Sequence, residues 1–202
     1  KKIDILDFKN LKKNIEAFKP NYIFHLAAQS LVSYSHKYPK ETFETNFNGT
    51  LNILEIAKNL KSLKGIILVT SDKCYDINHK KEKFSESDPL GGNDPYSSSK
   101  GSTEILLKPY FQIFRKKNIA ISSVRAGNVI GGGDWGKDRL IPDIIRSIKN
   151  KKELIVRNPN HIRPWQHVLD CLNGYNLLMT KQVQNPKKYS GSYNIGPNNL
   201  TK

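Results

Sequence analysis

Short, almost wholly apolar runs alternate along the chain with longer stretches in which apolar residues recur every three or four positions. The runs are Tyr22-Ile23-Phe24-His25-Leu26-Ala27-Ala28, Gly65-Ile66-Ile67-Leu68-Val69, Ile119 to Arg125 and Tyr193-Asn194-Ile195. Such runs predict strands, and Tyr22 to Ala28 reads as one covered on both faces. The longer stretches predict helices. Phe8 to Phe18 turns Leu11, Ile15 and Phe18 inward, and Glu41 to Lys61 offers Phe43, Phe47, Leu51, Leu54, Ile56 and Leu60 to the core. Gly49 lies inside that second helix at a cost in helix stability, which points to close packing or a ligand there. Further helices are predicted from Pro95 towards Lys117, with a kink at Pro109, over Asp138 to Asn150, with Leu140, Ile141, Ile144, Ile145 and Ile148 on one face, and over Leu169 to Lys181. Lys2 to Asp7 reads as a strand end and turn, and Leu154-Ile155-Val156 as a short strand. Asp76 to Asn93 is a polar loop and Gly127 to Trp135 a glycine-rich one. Strands alternating with helices at this spacing predict an α/β fold with a parallel, doubly wound sheet.

The 202 residues suffice for one domain with a real core. Lys and Arg number 33 against 18 Asp and Glu, a formal charge of +15. That excess opens the question of nucleic acid, but the lysines are scattered in pairs such as Lys12-Lys13, Lys116-Lys117 and Lys151-Lys152, with no stripe of interleaved aromatics. They read as a solvated surface that also draws an anionic substrate. The two cysteines, Cys74 and Cys171, show no metal spacing and fit free thiols in a reducing compartment. No apolar run approaches membrane-spanning length. These features predict a cytoplasmic protein that binds neither nucleic acid, membrane nor metal.

The chemistry concentrates in two stretches. In Asp94-Pro95-Tyr96-Ser97-Ser98-Ser99-Lys100, Asp94 suits a helix N-cap and Pro95 the first helical position. Tyr96 and Lys100 then lie four apart on one face, and an ammonium group beside a phenol predicts a lowered phenol pKa. The second stretch, Thr70-Ser71-Asp72-Lys73-Cys74-Tyr75, follows the predicted strand ending at Val69. It sets a hydroxyl, a carboxylate and an amine at a strand's carboxyl end, where open α/β sheets bind ligands.

His25-Leu26-Ala27-Ala28-Gln29, Asn46-x-x-Gly49-Thr50, Thr70-Ser71-Asp72-Lys73, Tyr96-x-x-x-Lys100 and Arg163-Pro164-Trp165 stand in this order along the chain. In these motifs the chain resembles the extended short-chain dehydrogenase/reductase family, and within it the nucleotide-sugar dehydratases and epimerases. The resemblance implies an NAD(P)-binding Rossmann-like sheet with a smaller C-terminal substrate-binding part. Residues 1–127 would form the partial dinucleotide-binding domain. Residues 128–202 would serve mainly the substrate, interleaved with that core. It implies NAD as cofactor and a homo-oligomeric enzyme. Thr70 to Tyr75, Gly127 to Trp135 and Ile162 to Val168 point within the family to CDP-glucose as substrate.

The resemblance also assigns roles. Tyr96 takes a proton from the sugar 4-hydroxyl, Lys100 lowers its pKa and holds the nicotinamide ribose, and Ser71 hydrogen-bonds the 4-oxygen. Asp72, with a raised pKa, protonates the departing 6-hydroxyl. Lys73 is either the base at carbon 5 or an ammonium that stabilises the enolate. Asp4 and Ile5 meet the adenine edge. Ala27, Ala28 and Gln29 lie under the phosphates and ribose, and Thr70 lies near the nicotinamide ribose. Asn46 either orders water beside Tyr96 and Lys100 or is an ordinary polar helix residue. Asn128, Arg139 and Arg163, with His161 and Asn194, serve the sugar nucleotide, the arginines suiting a diphosphate. Arg163 has a competing use in stacking on Trp165.

The family's glycine-rich strand–loop–helix for the cofactor pyrophosphate is not found here, and Gly131-Gly132-Gly133 falls too late to replace it. The chain thus reads as an internal fragment, expected to bind NAD poorly and to aggregate alone. Two rival readings are an epimerase, which needs no acid such as Asp72 for a leaving hydroxyl, and a catalytically inactive binding module.

Overall fold

The computed structural model describes residues 1–78, 83–156 and 159–197. The part of the Asp76 to Asn93 loop at residues 79–82 and the end of the expected substrate-binding part at 198–202 lie outside the described residues. Chain order begins α1 (Phe8–Phe18), β1 (Tyr22–His25), α2 (Val32–Lys37) and α3 (Pro39–Phe43), then a π-helical turn (Glu44–Asn48) and α4 (Gly49–Ala57). β2 (Gly65–Val69), a 3-10 turn (Asp72–Cys74), α5 (Pro95–Lys116) and β3 (Ala120–Ala126) follow. The remainder is β4 (Val129–Ile130), α6 (Leu140–Asn150), β5 (Gln166–His167), α7 (Val168–Gln184), α8 (Pro186–Tyr189) and β6 (Gly191–Ile195).

Four strands form one all-parallel sheet in the order β1-β2-β3-β6. Its register sets Ile23 beside Ile66 and Ile66 beside Ile121, and Val124 beside Tyr193. On one face Ile66, Leu68 and Ile121 pack with Leu54 and Ile56 of α4 and Leu107 and Phe114 of α5. On the other, Ile67 and Val124 pack with Cys171, Tyr175, Leu178 and Met179 of α7. Helices on both faces make the sheet doubly wound, as the alternating pattern predicts. β4 and β5 pair apart from it. Among the described residues no helix is long and apolar enough to cross a membrane. Some of the paired lysines cap helix ends: Lys117 Nζ donates to the Lys58 carbonyl just past α4, at 2.6 Å, where a cation complements the helix dipole.

Several expectations need correction. Lys2 to Asp7 is not a strand end, because the Asp4 carboxylate accepts the Leu6 N–H and its carbonyl the Asp7 N–H, closing turns instead. Leu154-Ile155-Val156 forms no strand, and Ile155 is 81% exposed, without the cover an apolar strand requires. Phe18 points outward, 82% exposed. β1 is covered on one face only: Ile23 and His25 face α4, whereas Tyr22, Phe24 and the following Leu26 are exposed because α7 spans β2 and β3 but not β1. The apolar face of α6 is also largely open, with Pro142 its one buried residue. α5 runs through Pro109 without a break.

Candidate active site

β1, β2 and β3 run parallel, so their carboxyl ends share one edge of the sheet, the edge where open α/β sheets place their ligand crevice. There α5 packs against the 3-10 turn. Asp94 caps α5 through Oδ1 to the Ser97 N–H, at 3.0 Å, and through Oδ2 to the Ser97 hydroxyl, at 2.6 Å. Pro95 opens the helix. The Tyr96 N–H, an orphan of the first turn, donates to Ser35 Oγ at 3.2 Å. These bonds fix Tyr96, Ser99 and Lys100 in place, all buried.

Opposite, β2 ends in the Thr70–Tyr75 segment. Extended Ser71 caps the 3-10 turn by accepting the Lys73 N–H, and its hydroxyl donates to Asp72 Oδ1 at 3.1 Å. Burial raises the Asp72 pKa, while Ser71, Lys73 and Arg163 pull it down. Lys73 itself is exposed on the rim.

Tyr96 departs from expectation. Burial raises its pKa rather than lowering it, with Asp72 and Asp94 adding to the rise and Ser71 and Arg139 opposing it. Lys100 does not lower it, because its ammonium turns to the Val69 carbonyl at 3.2 Å. Burial depresses Lys100 itself to about 8, against an upward pull from Glu104. His25 lies buried at the end of β1, its Nε2 3.1 Å from Thr50 Oγ1, and burial with the Lys100 charge holds it down to about 4.

The π-helical turn carries Asn46 into the crevice wall. Its Oδ1 accepts the Gln29 N–H at 2.8 Å, and its Nδ2 donates to the Gln29 carbonyl at 3.0 Å and to Ser99 Oγ at 2.9 Å. Asn46 thus clamps the loop after β1 to α5, more than an ordinary polar helix residue does. Gly49, one turn on, has Ile5 where its side chain would be, with Cδ1 2.4 Å from an added Cβ. Close packing, not a ligand, accounts for that glycine. Ile5 and Gln29 thereby border the same turn, each preceded in the chain by the other residues expected at the cofactor, Asp4 and Ala27-Ala28. Ala27 is exposed and Ala28 half-buried, so core packing does not explain them.

Other expected contacts are redirected. The Gln29 amide donates to Thr42 Oγ1 and accepts the Leu31 N–H, shaping its own loop. The Thr70 hydroxyl turns from the crevice to Glu104 Oε1, at 2.5 Å. Asn194 accepts from the Tyr75 hydroxyl at 2.6 Å and donates to the Phe84 carbonyl at 3.0 Å, so its amide is used inside the fold. Arg139 donates to Asp134 at 2.9 Å and to Ser30 at 2.8 Å, tying the glycine-rich loop to the loop after β1. Arg163 NH2 lies 2.9 Å from His161 Nδ1. The cation–π contacts among the described residues fall on Tyr38, Tyr75 and Tyr189, not on Trp165. Asn128 is half-buried, and its carbonyl receives the Gln166 N–H.

Sequence reasoning missed a polar group behind the site. Glu104 and Arg125 are buried and paired at 2.7 Å. The available signal was a charge inside an apolar strand and an acid one turn after Lys100.

The family described as NAD dependent epimerase/dehydratase matches residues 1–196. The CDP-glucose 4,6-dehydratase of Salmonella typhimurium is 46% identical over 200 residues, 96% of this chain and 56% of that protein. The chain thus spans little more than half the length of that relative. Among solved structures, UDP-glucose 4-epimerase from Thermotoga maritima with UDP-glucose superposes with a TM-score of 0.83 at 26% identity, over 98% of this chain and 62% of that one. The dTDP-glucose 4,6-dehydratase of Bacillus anthracis in complex with NAD gives 0.79 at 25% identity, over 100% and 59%.

Proposed function

This chain belongs to the NAD dependent epimerase/dehydratase family, and from that premise we propose that it carries the reaction centre of a CDP-glucose 4,6-dehydratase. The reaction would convert CDP-glucose to CDP-4-keto-6-deoxyglucose and water with NAD recycled in each turnover. The observation that carries this reading is Asp72, a carboxyl whose pKa burial raises, set beside Ser71 and facing Tyr96. A 4-epimerase has no leaving hydroxyl for such an acid to protonate. The 46% identity to the Salmonella enzyme supports the choice of substrate.

The residues present fit the nicotinamide end of the cofactor. Ala27 and Ala28, exposed and half-buried, carry only methyl groups on the loop that Asn46 ties to α5, the helix of buried Tyr96 and Lys100. Lys100 and Tyr96 would hold the ribose, Ala27, Ala28 and the backbone about Gln29 the loop beneath, and Asp4 and Ile5 the adenine edge. Bound NAD would supply the hydride acceptor at carbon 4 and the donor at carbon 6. Tyr96 takes the 4-hydroxyl proton as general base, and Ser71 donates to the 4-oxygen. Asp72 hands its proton to the departing 6-hydroxyl, for which a raised pKa is required. Lys73 either removes the carbon 5 proton as an amine or stabilises the enolate as an ammonium. Arg139 and Arg163, whose charges act on Tyr96 and Asp72, would face the diphosphate, with Asn128 and His161 beside them. A nucleotide-sugar substrate and buried free thiols suit the cytoplasm.

The test is product analysis on the full protein. Incubated with CDP-glucose it should release a 4-keto-6-deoxy sugar, identified by NMR, with dTDP-, UDP- and GDP-glucose turned over poorly. A product that keeps its 6-hydroxyl and is inverted at carbon 4 would replace the dehydratase by an epimerase. Lys73→Met should stall after oxidation, leaving a persistent reduced-nicotinamide absorbance. If no reduced cofactor forms, Lys73 belongs to the first step instead.

A further inference from the structure

Every oxygen of Glu104 is engaged behind the crevice. Oε1 accepts from Thr70, and Oε2 accepts from Arg125 at 2.7 Å, Ser123 at 3.0 Å and Ser192 at 3.1 Å. Arg125 NH1 donates to the Tyr75 hydroxyl at 2.8 Å and to the Glu86 carbonyl at 3.0 Å. The guanidinium also lies 5.1 Å above the Tyr75 ring, whose other face stacks on Phe84. Thr70 and Tyr75 are the two ends of the segment that bears Ser71, Asp72 and Lys73. One end hangs on the acid and the other on the base of a single buried ion pair. Burying such a pair is seldom a net gain in stability over apolar residues, and Arg125 Nε is left without a partner here. Stability alone therefore accounts poorly for its presence.

We propose that Glu104 and Arg125 are positioning residues for the reaction, holding Ser71 and Asp72 at their working distance from Tyr96. The inference rests on the dehydratase reading of the same site. Glu104 also follows Lys100 by one helical turn, and its charge raises the Lys100 pKa. Around Lys100 the facing groups are His25 from β1, the Val69 carbonyl at the end of β2, Cys74 from the 3-10 turn and Glu104 from α5. His25 and Cys74 are neutral near pH 7, with pKa values of about 4 and about 12, so Glu104 is the anion of that set.

The experiment compares Glu104→Gln with wild type in the full protein, following CDP-glucose turnover against pH. Misplacing the segment should lower kcat at least ~10-fold with KM within about twofold. Loss of the anion lowers the Lys100 pKa, so the alkaline limb of the kcat profile should move to lower pH. A folded variant with wild-type kcat and an unmoved limb overturns the proposal. If Glu104→Gln does not fold, Tyr75→Phe decides, because it cuts one tether and leaves the ion pair intact. Reduced kcat at unchanged KM and normal melting supports the proposal, and wild-type kcat overturns it. Wild-type protein that turns over no CDP-glucose defeats the dehydratase reading itself, and the catalytic role of the pair with it.

Discussion

Burial and chemistry pull in opposite directions at Tyr96. A general base needs a stabilised phenolate, whereas the dry wall of α5 favours the phenol. The Tyr96–Lys100 spacing was legible in the sequence. The direction of the shift was not, because it depends on where Lys100 points and on how much of the phenol the fold covers. Tyr96→Phe should cost at least ~10²-fold in turnover while leaving substrate affinity nearly intact, as measured by stopped-assay rates and calorimetry. Near wild-type turnover would remove Tyr96 from the mechanism. His25 gives a second, independent reading at this scale. Its folded pKa of about 4 lies below the unfolded value of 6.5. Below pH 6.5 the unfolded chain therefore gains a proton that the fold refuses. Stability from this group is complete above that pH and falls as the pH drops towards 4, by roughly 3 kcal/mol in all. Urea melts at pH 7 and pH 4.5 should show His25→Gln losing less than wild type. Equal losses would mean that His25 titrates freely in the native state.

At the scale of elements, boundaries set by local chemistry were readable and those set by packing were not. Asp94-Pro95 announces α5, and α1 and β2 fall where the apolar spacing puts them. The π-helical turn within Glu41 to Lys61 has no local signature apart from Gly49, yet it is what swings Asn46 towards Gln29 and Ser99. Leu154-Ile155-Val156 misleads because three apolar residues cannot distinguish a strand from a strand-like loop. Asn46→Ala should strand the Gln29 N–H and carbonyl, costing about 1–3 kcal/mol of stability and loosening NAD binding, both read by melting with and without NAD. Unchanged melting and affinity would reduce the clamp to an accident of geometry. Gly101 makes a sharper case. A Cβ there would lie 2.5 Å from the Gly91 carbonyl oxygen and 3.2 Å from that of Cys74, backbone atoms with little room to yield. Gly101→Ala should lower the melting temperature although alanine favours a helix, since the loop behind Cys74 would be levered off α5. A rise in melting temperature would show that this loop yields freely.

Over the whole molecule, the parallel sheet and its doubly wound cover follow from the alternation of apolar runs and amphipathic stretches. The buried Glu104–Arg125 group does not, because its partners come from α5, β3, β6 and two loops far apart in sequence. The exposed side of β1 is equally invisible in a pattern that records apolarity but not what covers it. Tyr22, Phe24 and Leu26, with Phe18 nearby in the chain, form an apolar face that water tolerates poorly. The 202-residue chain expressed alone should therefore self-associate, and Phe24→Lys should reduce that association in sedimentation velocity. Equal association in both would place the sticky surface elsewhere, with the open face of α6 the next to test. Cys74 turns the site into its own reporter. Its thiol is fully buried between Ser71 and Tyr75, with burial and the Glu104 charge pushing its pKa up to about 12. Only a thiolate attacks a disulfide reagent, so labelling at neutral pH must wait for this segment to swing open. In a Cys171→Ser background the labelling rate would count those openings directly. Nucleotide sugar, by holding the segment shut, should make them rarer.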